Sequence, residues 1–272
     1  MKTPISPSVP RNRQLCLKRM LAAAAAASAE IMAIYADSER WQVAYKADDS
    51  PLTQADRCAQ AVIMATLQDL GLAIVSEEMD VLPQRMDAAP YFLVDPLDGT
   101  REFLARNGEF TVNIALIEDH HPILAVVQVP ADGRVYHAVH GHGAWLGERR
   151  LQSGAVTPLR VAVSRHHAQG ERAGLQALAE RCPLTLIERG SSLKMVEIAA
   201  GELDFYPRLG PTMAWDTAAA QLIVEEAGGC LCDGGGRRLS YGPPWRNPPF
   251  FASALSVAQS LSLLADGAFF QS

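Results

Sequence analysis

The side chains best placed for chemistry lie in residues 91–110, which read YFLVDPLDGTREFLARNGEF. Asp95 and Asp98 follow a short apolar run that is typical of a buried strand. Two carboxylates about 5 Å apart repel by roughly 3 kcal/mol at an effective dielectric constant near 20. A hard divalent cation relieves that repulsion because it prefers oxygen ligands. Backbone N–H groups in a turn through Gly99 and Thr100 would hold an anion beside it, so the segment predicts a metal and phosphate site.

The same residues also have an ordinary structural explanation. We expect the strand to stop at Asp95, because Pro96 has no N–H to donate to the sheet. Gly99 then permits a backbone turn that residues with a Cβ resist. An Asp/Pro/Gly turn after a strand is common in proteins without any metal. The segment alone leaves both interpretations open.

Acidic residues stand at further positions where a predicted strand ends or a predicted helix begins. Glu77 and Glu78 follow an apolar run. Asp56 lies in the first turn of one predicted helix, and Asp216 opens another. Each has a simple alternative: the glutamates as solvated loop charges, Asp56 as a capping-box acid and Asp216 as a helix N-cap. Taken singly, none of them requires a metal.

Together these acids form a pattern that resembles the lithium-sensitive, magnesium-dependent phosphatase superfamily, which includes the inositol monophosphatases. Its motif is Asp…Glu-Glu…Asp-Pro-(Ile/Leu)-Asp-Gly-(Thr/Ser)…Trp-Asp-x-Ala-Ala. This chain carries every part in that order, at residues 56, 77–78, 95–100 and 215–219. The resemblance extends over about residues 15–252, and thus over most of the chain.

Within the superfamily, the chain is more similar to the bacterial 3′(2′),5′-bisphosphate nucleotidases. Four segments carry this similarity: residues 46–51, 106–113, 190–194 and 206–212. An inositol monophosphatase more often has an acidic residue at or beside the position of Leu209, where it holds inositol hydroxyls. The resemblance therefore favours a nucleotide over inositol phosphate as the substrate.

The resemblance implies a metal centre and residues that act on water. Two or three Mg²⁺ ions would be held by the side chains of four acids: Glu77, Asp95, Asp98 and Asp216. The main-chain carbonyl of Leu97 would supply one more oxygen. Glu77, Thr100 and Asp98 would be the catalytic residues. Glu77 and Thr100 would orient the attacking water and receive its proton. Asp56 and Glu78 would support these ligands or a third metal.

The resemblance also implies a binding site for the nucleotide. Backbone N–H groups of Gly99 and Thr100 would hold the phosphate that is removed, with help from the positive ends of nearby helices. The other substrate contacts would come from the second half of the chain: Ser164, His167, Gly190, Lys194 and Arg208. Lys194 would supply a positive charge to the second phosphate, and Arg208 would do the same.

The implied activity is hydrolysis of adenosine 3′,5′-bisphosphate to AMP and phosphate, with 3′-phosphoadenylyl sulfate as a second candidate substrate. Such an enzyme removes a by-product of sulfate activation, and the family also implies inhibition by Li⁺. Two alternatives remain. One is an inositol-1-phosphate or other sugar phosphate monoesterase with the same metal core, and the other is a non-catalytic nucleotide sensor. The complete set of carboxylates with Thr100 favours an enzyme, because a sensor needs no groups that activate water.

Composition limits the class of partner. The 272 residues carry a net charge of −6, which disfavours a protein that coats nucleic acid polymers but permits a small anionic ligand in a local pocket. The five cysteines are odd in number and include no Cys-x-x-Cys pair. We therefore expect neither a disulfide framework nor a zinc site. We expect a cytoplasmic protein that binds a small nucleotide, as a monomer or a homodimer.

The N-terminal region needs separate treatment, because basic residues precede an alanine run there. That order resembles a signal peptide, but the run is short, acidic residues follow it, and alanine is the best helix former. We predict a flexible tail over residues 1–14 and an amphipathic helix over about residues 15–37. No stretch is long and apolar enough to span a membrane. The basic start of the helix would allow peripheral association with the cytoplasmic face of the inner membrane.

Apolar periodicity predicts the elements that position these residues. Strands are predicted at residues 41–45, 72–75, 91–94, 110–117, 123–129, 134–139, 159–163, 184–187 and 204–206, and near residues 230 and 250. Further helices are predicted at residues 53–70, 172–181, 190–201 and 215–228, with a weak one at the C-terminus.

The fold that the family resemblance implies is α+β, a layered αβαβα sandwich. Residues 15–150 would form an N-terminal half with the metal site, and residues 151–272 a C-terminal half with the nucleotide-binding elements. The two halves would pack as a single catalytic unit.

Overall fold

The computed structural model describes residues 11–46, 50–86, 89–165, 171–264 and 269. Its helices are α1 (Arg11–Tyr35), α2 (Gln54–Leu67), α3 (Thr100–Leu104), α4 (Arg172–Arg181), α5 (Leu193–Ala199), α6 (Ala214–Glu226) and α7 (Val257–Leu264). Its strands are β1 (Ala44–Tyr45), β2 (Pro51–Leu52), β3 (Ala73–Ser76), β4 (Tyr91–Asp98), β5 (Thr111–Glu118), β6 (His121–Gln128), β7 (Val135–Val139), β8 (Gly143–Leu146), β9 (Arg149–Arg150), β10 (Leu159–Ser164), β11 (Leu184–Arg189), β12 (Phe205–Arg208), β13 (Cys230–Asp233) and β14 (Phe250–Ser253).

The larger sheet contains seven strands in the order β3-β4-β5-β6-β7-β8-β9. β3 runs parallel to β4, and each later neighbour is antiparallel. Both faces are buried. Val112 and Ile114 pack on one face with residues of α1 and α2, whereas Ala115 and Ile117 pack on the opposite face with residues of α5 and α6. The strand predicted at residues 110–117 is confirmed as β5, and its apolar side chains alternate between the two faces.

The smaller sheet contains five strands in the order β11-β10-β12-β14-β13. α5 and α6 lie between the two sheets, where Leu222 packs in the same core as Phe250 of β14. α4 and α7 cover the outer face, where Leu178 and Leu264 pack with Phe251. The described residues therefore form five layers, α, β, α, β and α, as the family resemblance implies.

Several boundaries differ from the sequence prediction. α1 begins at Arg11, inside the predicted tail, and ends at Tyr35. Only Ala44–Tyr45 of the predicted strand over residues 41–45 is a strand. β8 and β9 were not predicted, because strands of four and two residues are too short to show a clear period. Among the described residues, no helix has the length and apolar character that a membrane crossing requires.

Candidate active site

Acidic side chains from three elements meet at one end of the larger sheet. The parallel pairing of β3 with β4 aligns Ser76 with Val94, and the Glu77 N–H donates to the Val94 carbonyl at 3.1 Å. Glu77 thus stands beside Asp95. Asp216 enters from the first turn of α6. All four acids predicted to hold metal line one cavity of about 450 Å³: Glu77, Asp95, Asp98 and Asp216.

A β-bulge brings the two aspartates of β4 to the same cavity. The predicted end of the strand at Asp95 is wrong, because β4 continues through Pro96 to Asp98. The register against β5 shifts there: Asp95 pairs with Asn113 and Asp98 with Thr111. Side chains three positions apart point to opposite faces of a regular strand, and one extra residue corrects this. A bulged residue is unpaired, so the missing N–H of Pro96 costs no ladder bond.

Burial and mutual repulsion disfavour the fully charged cluster. Burial, followed by the charges of Glu77, Asp98 and Asp216, raises the pKa of Asp95 well above its ordinary value. Burial, followed by Asp98 and Glu77, likewise raises the pKa of Asp216. Burial raises the pKa of Asp98 to about 6, although the Lys194 ammonium opposes the rise. A cation among these carboxylates would favour their charged forms.

The donor chemistry of this cluster fits Mg²⁺. Each aspartate is oriented by one backbone N–H: Leu97 to Asp95 Oδ1 (3.0 Å), Ser192 to Asp98 Oδ2 (2.6 Å) and Met213 to Asp216 Oδ2 (2.7 Å). A cation can be met by the second oxygen of each carboxylate. Within the described ranges, no three acidic, histidine or cysteine side chains close into a finished metal cage. Mg²⁺ needs no such cage, because it binds through a few carboxylates, waters and substrate phosphate oxygens.

Lys46 belongs to the site, although the sequence motif does not single it out. Its ammonium contacts Glu77 Oε1 and Glu78 Oε1, each at 2.7 Å. Desolvation by itself would lower the pKa of Lys46. The charges of Glu77 and Glu78 outweigh this effect and raise the pKa above its ordinary value. Burial and the charge of Glu77 raise the pKa of Glu78 to about 7. Glu78 lines a neighbouring cavity, and it therefore stands behind Glu77 and reaches it through Lys46.

Thr100 and Asp56 form a hydrogen-bonded pair. The Thr100 hydroxyl donates to Asp56 Oδ1 at 3.1 Å and lies 3.4 Å from the Leu97 carbonyl oxygen. Asp56 Oδ2 accepts the backbone N–H of Thr53 at 2.7 Å and the Thr53 hydroxyl at 2.6 Å. Burial raises the pKa of Asp56 to about 6. The capping-box explanation of Asp56 is therefore correct, and the same carboxylate also orients Thr100.

Gly99 occupies a position that only glycine suits. It precedes α3 with a φ of +95°, in the left-handed region that residues with a Cβ avoid. A Cβ there would lie 3.2 Å from the Glu109 carbonyl oxygen and 3.2 Å from Ser191 Cβ. Gly99 and Thr100 both line the cavity, so backbone from the turn reaches it beside Asp98.

Two buried basic side chains, Lys194 and Arg208, line the same cavity. They are 5% and 6% exposed respectively. The Lys194 ammonium donates to the Arg189 carbonyl at 3.3 Å and lies 5.3 Å from the centre of the Tyr206 ring. Burial lowers the pKa of Lys194 to about 8. Arg208 Nη2 donates to the Pro211 carbonyl at 3.0 Å, and Arg208 Nε has no partner among the described residues. Buried cations with spare donors suit an anionic group of the substrate.

The other predicted substrate residues lie in different places. Ser164 ends β10 and lines the cavity. Gly190 is not among the described residues that line it. Its N–H donates to Glu109 Oε2 at 2.8 Å, and a Cβ there would overlap the side chain of Glu102. Glycine at this position therefore reflects close packing behind the cavity. His167 falls outside the described residues.

The cavity residues that were not predicted as substrate contacts include three polar ones close to the predicted site: Glu102, Ser191 and Ser192. The two serines lie within residues 190–194, one of the segments that resemble the nucleotidases. The Ser192 hydroxyl also contacts Asn113 Oδ1 at 2.9 Å, which ties α5 to β5. No sequence motif singles out Glu102. An acid two residues after Thr100 is ordinary in a sequence, and only the fold shows that it is buried beside the cavity.

The sequence of this chain is similar to those of known proteins. A 3′(2′),5′-bisphosphate nucleotidase CysQ of Salmonella typhimurium is 42% identical over 230 residues, which is 81% of this chain and 92% of that protein. The CysQ nucleotidase of Escherichia coli strain K12 is also 42% identical, over 82% of this chain and 93% of that protein.

Solved structures are similar to this chain in fold. CysQ from Bacteroides thetaiotaomicron, described as a bacterial member of the inositol monophosphatase family, superimposes with a TM-score of 0.77 at 34% identity, covering 88% of this chain and 97% of that one. Extragenic suppressor protein suhB from Bartonella henselae gives a TM-score of 0.80 at 26% identity, over 93% and 99% of the two chains.

A model of the inositol monophosphatase family matches residues 14–265. That range contains the acidic cluster, the Thr100–Asp56 pair and both buried cations. The chain therefore belongs to the inositol monophosphatase family.

Proposed function

We propose that this chain is a Mg²⁺-dependent 3′(2′),5′-bisphosphate nucleotidase. It hydrolyses adenosine 3′,5′-bisphosphate to AMP and phosphate, and 3′-phosphoadenylyl sulfate is a second substrate. The proposal rests on one observation: the same cavity is lined by the acidic cluster and by two buried cations, Lys194 and Arg208. The acids suit a metal-bound phosphate, and the buried cations suit a second phosphate on the same molecule. The names of the CysQ relatives support the same substrate.

We assign two or three Mg²⁺ ions to the acidic cluster. The residues that would hold them are the four acids and one carbonyl already described: Glu77, Asp95, Asp98, Asp216 and the carbonyl of Leu97. When bound, Mg²⁺ lowers the pKa of a coordinated water and offsets charge on the phosphate oxygens. The protein's own contribution is to hold these oxygens in place through backbone N–H groups.

Thr100 and Glu77 orient the attacking water. The Thr100 hydroxyl donates its hydrogen to Asp56, so its oxygen accepts a hydrogen bond from the water. Lys46 engages Glu77 through Oε1, which leaves Oε2 to accept the second hydrogen. With both hydrogens directed to acceptors, a lone pair of the water is aimed at phosphorus, and Glu77 receives the proton.

The substrate is held at both ends. The backbone N–H groups of Gly99 and Thr100 bind the 3′-phosphate, which is removed. Lys194 and Arg208 bind the 5′-phosphate, which is retained. Ser164, at the end of β10, contacts the nucleoside between them. This arrangement predicts a strong preference for substrates that carry both phosphates.

A comparison of substrates tests the proposal. Phosphate release from adenosine 3′,5′-bisphosphate and from inositol 1-phosphate is measured with Mg²⁺, and with EDTA as the control. We expect kcat/KM to be at least about a hundredfold higher for the bisphosphate, because inositol 1-phosphate leaves Lys194 and Arg208 without their anion. Equal or faster hydrolysis of inositol 1-phosphate would show a sugar phosphate monoesterase instead. Binding of the bisphosphate without any hydrolysis would show a sensor.

A further inference from the structure

Glu109 lies between α3 and β5, and its side chain is 17% exposed. It accepts three hydrogen bonds. Arg165 Nε donates to Oε2 at 3.0 Å and Arg165 Nη2 to Oε1 at 2.9 Å. The Gly190 N–H donates to Oε2 at 2.8 Å. The forked pairing of guanidinium and carboxylate restricts both position and orientation, so Glu109 holds two separate segments at defined places.

Both of those segments carry substrate-side residues. Arg165 directly follows Ser164, which lines the cavity. Gly190 begins the segment that contains Ser191, Ser192 and Lys194, which also line the cavity. β10 and β11 are parallel neighbours that align Ser164 with Arg189, so their carboxyl ends lie side by side. Arg165 Nη1 also donates to Glu188 Oε2 at 3.0 Å. The strand ends are therefore joined to each other and to Glu109.

The main chain of Glu109 is fixed on the metal side of the cavity. Its carbonyl oxygen would lie 3.2 Å from a Cβ at Gly99, the residue between Asp98 and Thr100. β5, which begins two residues after Glu109, pairs with β4 through Thr111 and Asp98. One residue thus touches the turn that carries the catalytic groups and, through its side chain, the segments that face the other end of the substrate.

We propose that Glu109 is a positioning residue that sets the spacing between the acidic cluster and the cations that bind the second phosphate. Through this spacing it determines the preference for a bisphosphate over a monophosphate. The inference rests on the proposed nucleotidase function. A purely structural ion pair would affect all substrates alike, whereas a residue that sets the spacing affects only substrates that reach both ends.

The test compares adenosine 3′,5′-bisphosphate with adenosine 3′-monophosphate, which lacks the distal phosphate. Glu109→Gln keeps an oxygen acceptor for the Gly190 N–H but loses the charged fork with Arg165. We expect kcat/KM for the bisphosphate to fall about tenfold, mainly through KM, and that for the monophosphate to change less than about threefold. Arg165→Met should lower the ratio of the two kcat/KM values similarly, and the double variant should lower it little further. Glu188→Gln is the matched control, because it removes only the charge of the outer partner of Arg165, whose side chain is 65% exposed.

The outcomes separate this inference from the proposed function. A wild-type protein without preference for the bisphosphate would refute the proposed substrate, and the inference with it. A wild-type preference that Glu109→Gln and Arg165→Met both retain would refute the positioning role alone, as would equal losses on both substrates. If either variant does not fold by circular dichroism, Arg165→Lys replaces it. This variant keeps the positive charge without the fork, and the same ratio decides.

Discussion

Replacement of Asp98 by Asn is expected to abolish phosphatase activity and, in the absence of metal, to stabilise the protein. Asp98 lies in the acidic cluster, and burial raises its pKa to about 6 from an ordinary value of 3.8. Asparagine has nearly the same shape but no charge. It therefore removes both a proposed ligand of Mg²⁺ and a source of repulsion among the carboxylates.

The magnitude follows from that pKa. A rise from 3.8 to about 6 means that the charged carboxylate is less stable in the folded than in the unfolded protein by about 3 kcal/mol. Asparagine also accepts a weaker bond from the Ser192 N–H, so we expect a net gain of about 1 to 2 kcal/mol, or about 5 °C in Tm. An acid whose pKa is raised by folding destabilises the native state fully at pH values above its pKa in the folded protein. The gain is therefore full near pH 8, shrinks below about pH 6 and disappears below about pH 4.

Thermal unfolding of wild-type and Asp98→Asn proteins, in EDTA and in Mg²⁺, at pH 8 and pH 5, measures this effect. In EDTA at pH 8 the variant should have the higher Tm, and the difference should narrow at pH 5. Mg²⁺ should raise the Tm of the wild type more than that of the variant, because ligands stabilise the state that binds them. Asp69→Asn, at a side chain that is 68% exposed, is the neutral control. A variant that is less stable than wild type at pH 8, or equal stabilisation by Mg²⁺, would refute the reasoning.

Two further changes test single groups. Thr100→Val keeps the side-chain shape but removes the hydroxyl that donates to Asp56. We expect kcat for phosphate release to fall about a hundredfold or more with little change in KM, and an unchanged kcat would exclude Thr100 from the reaction. His137 is buried against Trp145, with ring centroids 5.5 Å apart, and burial lowers its pKa from 6.5 to about 4. The unfolded chain therefore protonates His137 more readily than the folded protein does. As the pH is lowered from 7 to 5, the contribution of His137 to the free energy of unfolding should fall by about 2 kcal/mol. Urea unfolding of His137→Phe should show a flatter pH dependence, and an identical dependence in both proteins would contradict the assignment.

Elements that depend on near neighbours could be predicted from the sequence. The period-two pattern of residues 110–117 places Val112 and Ala115 on opposite faces of the strand. In the structure they belong to two different hydrophobic cores, one on each face of the larger sheet. The capping box at Thr53 marks the start of α2. In both cases the signal lies within a few consecutive residues, so a local pattern suffices.

Elements that depend on distant partners could not be predicted. The pattern ends β4 at Asp95, because Pro96 cannot donate to a ladder, yet β4 continues. The reason is a shift in its pairing with β5. The register between two strands depends on how both of them pack, so the sequence of one strand does not determine it. The order of the smaller sheet, in which β14 lies between β12 and β13, likewise depends on long-range packing.

The sequence by itself determined the chemical types at the site. The acids, Gly99 and Thr100 predict an oxygen-rich centre beside a turn that binds phosphate, and their order along the chain indicates the family. Only the tertiary structure decided how other groups serve that centre. It placed Lys46 on Glu77, and it showed that Gly190 packs behind the cavity, where it donates to Glu109. These contacts join residues that are far apart in sequence, and they form only when sheet register and helix packing bring their backbones together.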